Sequence, residues 1–250
     1  MTSFFMAWQM FLWIPCPSHK WDDSKRKEML LWYPVTALIN GGLWYLIYYL
    51  FTSVGRGIGP VAAAVLAVFP WLITGFMQLD GYMDCADAAL YFGKKEKKLE
   101  ILKDSHVGSF AVISTAVLAI LQYAAFMQIG VTALSLKEAL ALVFIPALTR
   151  CLVVESIFML KPLPTSSYAG LCADIKVIFR IVPILMVASV LAAVYFLCGW
   201  IVFCALLIGT FVEALIILYL RKNLGGISGD ISGAAVTAGE LACLIALAFI

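Results

Sequence analysis

Three aspartates lie close together in a chain that has few acidic residues elsewhere. Asp80, Asp84 and Asp87 occur in the stretch LDGYMDCADAALYFG, at positions i, i+4 and i+7. If this stretch is helical, about 100° per residue puts the three carboxylates within roughly 60° of one another on one face. Carboxylates this close repel unless a cation neutralises them, and oxygen-only ligands favour Mg²⁺, Mn²⁺ or Ca²⁺. The spacing predicts a Mg²⁺ site that acts on a phosphate group.

Residues that could serve the same chemistry lie beside and after the aspartates. Gly81 would allow a ligand or metal to approach the backbone closely. Asp104, Ser105, His106 and Gly108 precede the next apolar segment, where the N–H groups of a helix N-terminus could face an anion. The alternative interpretation is that the acids form a solvated face where a helix leaves the bilayer.

The composition is typical of a membrane protein. The chain has 250 residues, of which 64% are hydrophobic and 13% charged, and its mean hydropathy is +1.00; these values exclude an ordinary soluble domain. A net charge of +2 gives no reason to expect a nucleic-acid partner. The seven cysteines form no CxxC pair and are interpreted as small core residues. The N-terminus lacks the features of a removable signal peptide.

Hydropathy predicts an all-α fold, a polytopic transmembrane helical bundle that forms one integral-membrane domain over residues 1–250. About seven spans are expected, each near the roughly 20 residues that cross a bilayer, after a short interfacial helix within residues 4–14. The expected spans are residues 29–50, 58–78, 108–129, 138–160, 178–197, 199–220 and 232–250.

The loops between these spans predict the topology. Most lysines and arginines fall in alternate loops, which the positive-inside rule places in the cytoplasm together with the N-terminus. These basic loops are residues 18–28, 79–107, 161–177 and 221–231. The acidic stretch and the glycine-rich segment near residue 230 are therefore expected on the same, cytoplasmic side.

The glycine-rich segment LGGISGDISGA covers residues 224–234. Its glycines, among them Gly226 and Gly229, allow close backbone approach, and Asp230 lies among them. Such a loop can cradle phosphate or complete a metal site. It can equally form a tight turn followed by close helix packing.

Several charged residues fall inside the apolar spans, where each is costly unless it is paired. Arg150 is expected either to bind phosphate through its guanidinium or to form a structural ion pair with another helix. Glu213 and Glu240 are expected to hydrogen-bond between helices. Lys103, in the basic loop, is a further candidate for a phosphate contact.

Taken together, these blocks resemble a known family. The motifs LDGYMDCADA, KKLEILKDSHVG, Pro146 with Arg150, and LGGISGDISGA followed by Glu240 are similar in order and spacing to those of adenosylcobinamide-GDP ribazoletransferases. The resemblance covers nearly the whole chain. It differs at one motif, because the family usually has His-x-Asp-Gly where this chain has Gln78 before Leu-Asp-Gly.

The resemblance implies a multi-span enzyme of the bacterial inner membrane that requires a divalent metal and has a cytoplasmic active site. In the implied reaction, the 3′-hydroxyl of α-ribazole, or of its 5′-phosphate, attacks the phosphorus nearer the cobinamide in adenosylcobinamide-GDP. GMP leaves, and adenosylcobalamin or its 5′-phosphate is the product. The expected partners are these substrates and the lipid bilayer. A homo-oligomer or a complex with other cobalamin-assembly enzymes is compatible with the sequence.

Roles in this reaction are expected for residues in each block. Asp80, Asp84 and Asp87 are expected to bind Mg²⁺. The general base is expected among Asp87, Asp104 and His106. The residues expected to contact substrate are Gly81, Lys103, Ser105, Gly108, Arg150, Gly226, Gly229 and Asp230.

Two other classes of protein share parts of this pattern. CDP-alcohol phosphotransferases also begin an acidic membrane motif with Asp-Gly, but their pattern continues with Ala-Arg where this chain has Asp84 and Cys85. A transporter or a non-catalytic membrane scaffold would explain the charges inside the spans as an ion path. The sequence shows no convincing internal repeat of the kind common in transporters.

Overall fold

The computed structural model describes residues 1–55, 57–171 and 175–250. Within them the fold is all-α, as predicted, with one isolated β-bridge between Pro162 and Ile227. A 3-10 turn at Asp23–Lys25 precedes the second helix, and a π-turn at Leu50–Val54 extends it. The α-helices of the described residues are α1 (Thr2–Phe11), α2 (Arg26–Tyr49), α3 (Pro60–Ile73), α4 (Met77–Leu90), α5 (Lys95–Ile101), α6 (Ser109–Thr132), α7 (Leu136–Ala139), α8 (Ala141–Met159), α9 (Val177–Cys198), α10 (Trp200–Leu224) and α11 (Gly229–Ala248).

Six helical segments of the described chain are long and apolar enough to cross a membrane, and the bent pair α3–α4 gives up to seven. This confirms the expected bundle of about seven spans. The six segments are Asp23–Val54, Ser109–Thr132, Leu136–Met159, Val177–Cys198, Trp200–Leu224 and Gly229–Ala248.

The second expected span, residues 58–78, is not one straight helix. The chain bends by 91° between the end of α3 at Ile73 and the start of α4 at Met77. Gly75 and Phe76, at the break, have φ angles of 59° and 61°, and such left-handed residues end a helix and redirect the chain. The sequence did not predict this bend, because hydropathy does not register a local change of backbone conformation.

Both halves of this bent pair pack against α6. The Gln122 amide of α6 donates to the carbonyl of Ala67 in α3 at 2.8 Å, and the Tyr82 hydroxyl of α4 donates to the carbonyl of Ser114 at 3.4 Å. Later residues of the pair thus meet earlier residues of α6. The order of these two contacts is antiparallel, and α4 lies beside the N-terminal part of α6.

The other neighbour of α4 is α11, and two glycines permit their close approach. A Cβ on Gly81 would lie 2.8 Å from the backbone oxygen of Asp230, and one on Gly233 would lie 3.0 Å from that of Gln78. The space beside Gly81 is therefore occupied by protein backbone. This assigns Gly81 to helix packing, where the sequence had suggested close approach of a ligand or metal.

We expect Gly81→Ala to destabilise the protein by about 1–3 kcal/mol, because the added methyl group overpacks the contact between α4 and α11. Gly229→Ala is the matched control, since a Cβ there meets no other atom within 4 Å. Thermal unfolding of both variants in detergent measures the difference. Equal stability of the two variants would contradict the packing role.

Three polar segments meet at one end of the bundle. Lys98 donates to the side chain of Asn223 at 2.7 Å, which joins α5 to the end of α10. The N–H of Ile227 donates to the carbonyl of Lys161 at 3.0 Å, and the N–H of Leu163 donates to the carbonyl of Ile227 at 2.9 Å. The acidic stretch, the 161–177 loop and the glycine-rich segment therefore converge, as predicted.

The close approach of these segments also explains why residue 226 is a glycine. A Cβ at that position would lie 2.5 Å from the backbone nitrogen of Leu163. Gly226 thus allows the backbone of the neighbouring loop to approach closely, and its expected contact with substrate stays a prediction.

The cysteines fit the expected role of small core residues. Six are described as free thiols, and all of them except the half-buried Cys204 are buried. Cys172 lies outside the described residues.

Candidate active site

The helix α4 carries all three aspartates of the acidic motif, so their spacing does place them on one helix. Asp80 is exposed, whereas Asp84 and Asp87 are half-buried. Asp230, in the first turn of α11, approaches the same group: Asp84 is close enough to Asp80, Asp87 and Asp230 to experience the negative charge of each. We call these four residues the acid cluster.

The negative charge of the acid cluster has no basic counterpart in the described part of the chain, where none of its members forms an ion pair with lysine or arginine. The donors are all carboxylate oxygens, which suit Mg²⁺. Among the described residues, no group of three or more His, Cys, Asp or Glu side chains is arranged so that it could hold a metal ion by itself. Mg²⁺ sites usually include waters and substrate phosphates, so the residues fit this ion.

Asp87 has a second function that the sequence did not indicate. Its carboxylate accepts hydrogen bonds from the backbone N–H groups of Gly108 at 2.7 Å and Ala111 at 2.9 Å. Both oxygens therefore cap the N-terminus of α6, where a negative charge is favourable. The sequence predicted that the N-terminus of this helix could face an anion, and in the structure the carboxylate of Asp87 lies there. The N–H of Gly108, a residue expected to contact substrate, donates its hydrogen bond to Asp87.

We expect Asp87→Asn to lower the stability of the protein by about 1–3 kcal/mol, because an amide NH₂ group cannot accept the second backbone hydrogen bond. The same substitution at Asp84 should leave stability nearly unchanged, since no hydrogen bond to its side chain is present in the described structure. Thermal unfolding in detergent distinguishes the two. A stable Asp87→Asn protein would show that the cap is dispensable.

Asp104 and His106 form a hydrogen-bonded pair near this cap. The Nδ1 atom of His106 lies 2.7 Å from Oδ1 of Asp104, which also accepts the backbone N–H of His106 at 3.0 Å. These hydrogen bonds lower the pKa of Asp104. The His106 side chain is 90% exposed, and Ser105 between them is exposed as well. With Asp87 and Gly108, the pair lines a cavity of about 270 Å³.

Two further cavities, of about 230 and 200 Å³, share Gly229 and Asp230. The larger is also lined by Lys103, the run Thr165–Ser166–Ser167 and Ser228. The smaller is lined on its polar side by Asp80, Gly81, Gln78 and Tyr33. Sequence reasoning missed the run at residues 165–167. Its signal was three consecutive hydroxyl residues in a loop already expected beside the acids.

Arg150 lies beneath these cavities in the core. It is 2% exposed, forms an ion pair with Glu240 of α11, and donates to the hydroxyl of Thr149 at 3.1 Å. The structure thus favours the ion pair over the phosphate contact, because the guanidinium is buried and already paired. Both carboxylate oxygens of the nearby buried Glu213 lack a hydrogen-bond partner among the described residues.

A column of side chains connects this ion pair to the smaller cavity. Arg150 lies over the ring of Tyr33, 5.8 Å from its centroid, and the Tyr33 hydroxyl accepts a hydrogen bond from the Gln78 amide at 3.0 Å. Phe11 of α1 stacks on Tyr33 with ring centroids 3.7 Å apart. Gln78, two residues before Asp80, is therefore fixed by the core of the bundle.

Comparison with known proteins gives a consistent result. A family model described as cobalamin-5-phosphate synthase matches residues 3–248. Proteins named adenosylcobinamide-GDP ribazoletransferase are similar to this chain in Clostridium perfringens (33% identity, 98% of this chain and 96% of that protein), Clostridium botulinum (34%, 94% and 92%) and Acinetobacter baumannii (31%, 96% and 94%). No solved structure matches. The chain belongs to the cobalamin-5-phosphate synthase family.

Proposed function

We propose that this protein is an adenosylcobinamide-GDP ribazoletransferase that uses Mg²⁺. The 3′-oxygen of α-ribazole or its 5′-phosphate forms a new bond to the phosphorus nearer the cobinamide. The bond from that phosphorus to the GMP oxygen breaks, and the proton of the hydroxyl passes to a base. The observation that carries the proposal is the acid cluster, which α4 and α11 form together at the polar end of the bundle. The relatives of this chain are named for the same reaction.

The acid cluster supports the metal requirement. Asp80, Asp84 and Asp87 would hold the ion, with Asp230 beside them. Mg²⁺ bound there would supply positive charge to offset the diphosphate and the leaving GMP. The protein's own contribution is to fix these carboxylates on α4 and α11, two helices held together at Gly81.

The Asp104–His106 pair is the best-supported base. With its Nδ1 proton donated to Asp104, the imidazole presents a free Nε2 that can accept the proton of the attacking hydroxyl. Asp104 remains ionised, since its pKa is lowered, and it fixes the ring orientation. Asp87 is less suited to this role, because both of its oxygens already accept backbone hydrogen bonds.

We expect His106→Gln to lower kcat by about 10²–10⁴-fold, because a positioned proton acceptor contributes that much. His19→Gln, which changes the other exposed histidine of the chain, is the control and should have no effect. Steady-state rates of GMP release over a range of pH values measure both. Full activity of His106→Gln would return the role of base to Asp104 or Asp87.

The distribution of basic residues supports a cytoplasmic active site in the bacterial inner membrane. Three of the four loops rich in lysine and arginine, at residues 79–107, 161–177 and 221–231, meet at the end of the bundle that carries the acid cluster. Lys94, exposed at the start of α5, offers a test of this orientation. Lys94→Cys should react with an impermeant thiol reagent in inverted membrane vesicles and not in intact cells.

The function itself is tested by GMP release from purified protein supplied with adenosylcobinamide-GDP, α-ribazole 5′-phosphate and Mg²⁺. We expect one GMP for each cobamide formed, and complete loss of both products after EDTA, restored by excess Mg²⁺. Absence of GMP from folded protein with either riboside would refute the proposal. Turnover that resists EDTA would refute the metal requirement alone.

A further inference from the structure

The larger of the two cavities that share Asp230 has a composition unlike the acid cluster. Its lining includes the hydroxyl residues 165–167 and Ser228, together with Lys103 and with Gly229 at the start of α11. We call it the hydroxyl cavity. Asp80, Asp84 and Asp87 do not line it, whereas Asp230 borders both regions.

The backbone holds the hydroxyl cavity in place. The hydrogen bond from the Leu163 N–H to the Ile227 carbonyl fixes the start of the 165–167 loop against the segment that leads into α11. The loop then turns, because the N–H of Ser166 donates to the carbonyl of Leu163 at 3.0 Å. This brings two segments distant in the sequence to either side of one polar space.

The groups that line this space suit a phosphate. Lys103 has no ion-pair partner among the described residues, so its charge is available to a ligand. Thr165 and Ser167 are exposed and can each donate a hydroxyl hydrogen bond. The N–H groups at the N-terminus of α11 add a favourable potential for an anion, and the absence of a side chain at Gly229 leaves that turn open.

The two substrates of the proposed reaction carry different phosphate groups. Adenosylcobinamide-GDP contains a diphosphate, and α-ribazole 5′-phosphate contains a single 5′-phosphate. The diphosphate reacts, so it must lie with the acid cluster, which would hold the metal. By contrast, Asp230 is the single acid among the residues that line the hydroxyl cavity, and Lys103 adds a positive charge. It therefore suits an anion that is held beside the reacting groups without being transferred.

We propose that the hydroxyl cavity binds the 5′-phosphate of α-ribazole 5′-phosphate, with Lys103 as its cation and Thr165 and Ser167 as hydrogen-bond donors. This assignment rests on the proposed function. It makes these three residues determinants of the preference for the phosphorylated riboside. The ribose would then extend past Asp230 toward the acid cluster, where its 3′-hydroxyl reacts.

The test compares the two ribosides as substrates of the full-length protein. We expect Lys103→Gln to raise the KM for α-ribazole 5′-phosphate by about tenfold, which is the loss of one charged hydrogen bond of about 1.4 kcal/mol. The KM for α-ribazole and that for adenosylcobinamide-GDP should stay within twofold of wild type. Lys94→Gln is the matched control, because it removes an exposed lysine outside the cavity.

A second variant tests the hydroxyl groups independently. The double substitution Thr165→Val with Ser167→Ala keeps the size of the loop and removes both donors, so it should also weaken only the phosphorylated riboside. An equal rise in the KM of both ribosides, or a rise in that of adenosylcobinamide-GDP, would overturn the assignment. Turnover by wild type with no change in either variant would overturn it too, while leaving the proposed function intact.

Discussion

Asp84→Asn is expected to reduce the rate of GMP release by at least about 10³-fold. Asp84 is the member of the acid cluster that experiences the charge of the other three, so it lies at the electrostatic centre of the cluster. Charge stabilisation by a bound metal contributes several kcal/mol to such transfers, and each 1.4 kcal/mol corresponds to a factor of ten in rate. An amide in place of this carboxylate removes one negative charge from the group that would hold the ion.

The control for this prediction is Glu100→Gln, which removes a carboxylate from the same polar end of the bundle. Glu100 is exposed and paired only with Lys97, a surface contact that contributes little. Both variants should elute as folded protein in detergent and unfold at nearly the wild-type temperature. Wild-type turnover by a folded Asp84→Asn protein would remove the basis for a metal site at the acid cluster.

The second large effect is expected on stability, from Arg150→Met. This substitution leaves Glu240 and Glu213 buried in the same core without a cation, at exposures of 2% and 0%. Breaking a buried ion pair on one side costs about 3–5 kcal/mol, because the remaining charge has lost its compensation. We expect a marked fall in the unfolding temperature in detergent and a much lower yield of folded protein.

A double variant that lacks both Arg150 and Glu240 tests whether the ion pair itself stabilises the protein. Arg150→Met with Glu240→Leu removes both partners of the ion pair and leaves Glu213 as a buried carboxylate nearby. Replacing a buried ion pair with apolar residues of similar size is often nearly neutral. The double variant should therefore regain most of the stability that Arg150→Met loses. If the losses of the two single variants simply add, the ion pair is not what holds α8 and α11 together.

The sequence predicted the fold class, the approximate number of spans and the family, because composition and long apolar runs report these features directly. It also predicted that the three polar segments meet, since the positive-inside rule assigned them to one side. The metal, the base and the orientation in the membrane stay predictions. A phosphate contact by Arg150 also stays a prediction, although the structure pairs this residue with Glu240. The sequence did not predict the 91° bend within the second span.

The physical reason for these differences is that pairing between helices leaves no local signal. Nothing near Arg150 in the sequence indicates Glu240, which lies on another helix. Likewise, Gly81 and Gly226 look the same as ligand-binding glycines until the structure places the backbone of Asp230 and Leu163 beside them. Asp87 has the spacing of a metal ligand, and only the position of α6 reveals that it is also a cap.

The contact between α4 and α11 constrains how the protein is made. The carboxylates of α4 are synthesised before Asp230, because α11 follows the other helices of the described residues. During insertion into the membrane, α4 therefore lacks this neighbour until α11 has been synthesised. If the acid cluster is the metal site that we propose, chains arrested before α11 are expected to be inactive, because they lack Asp230.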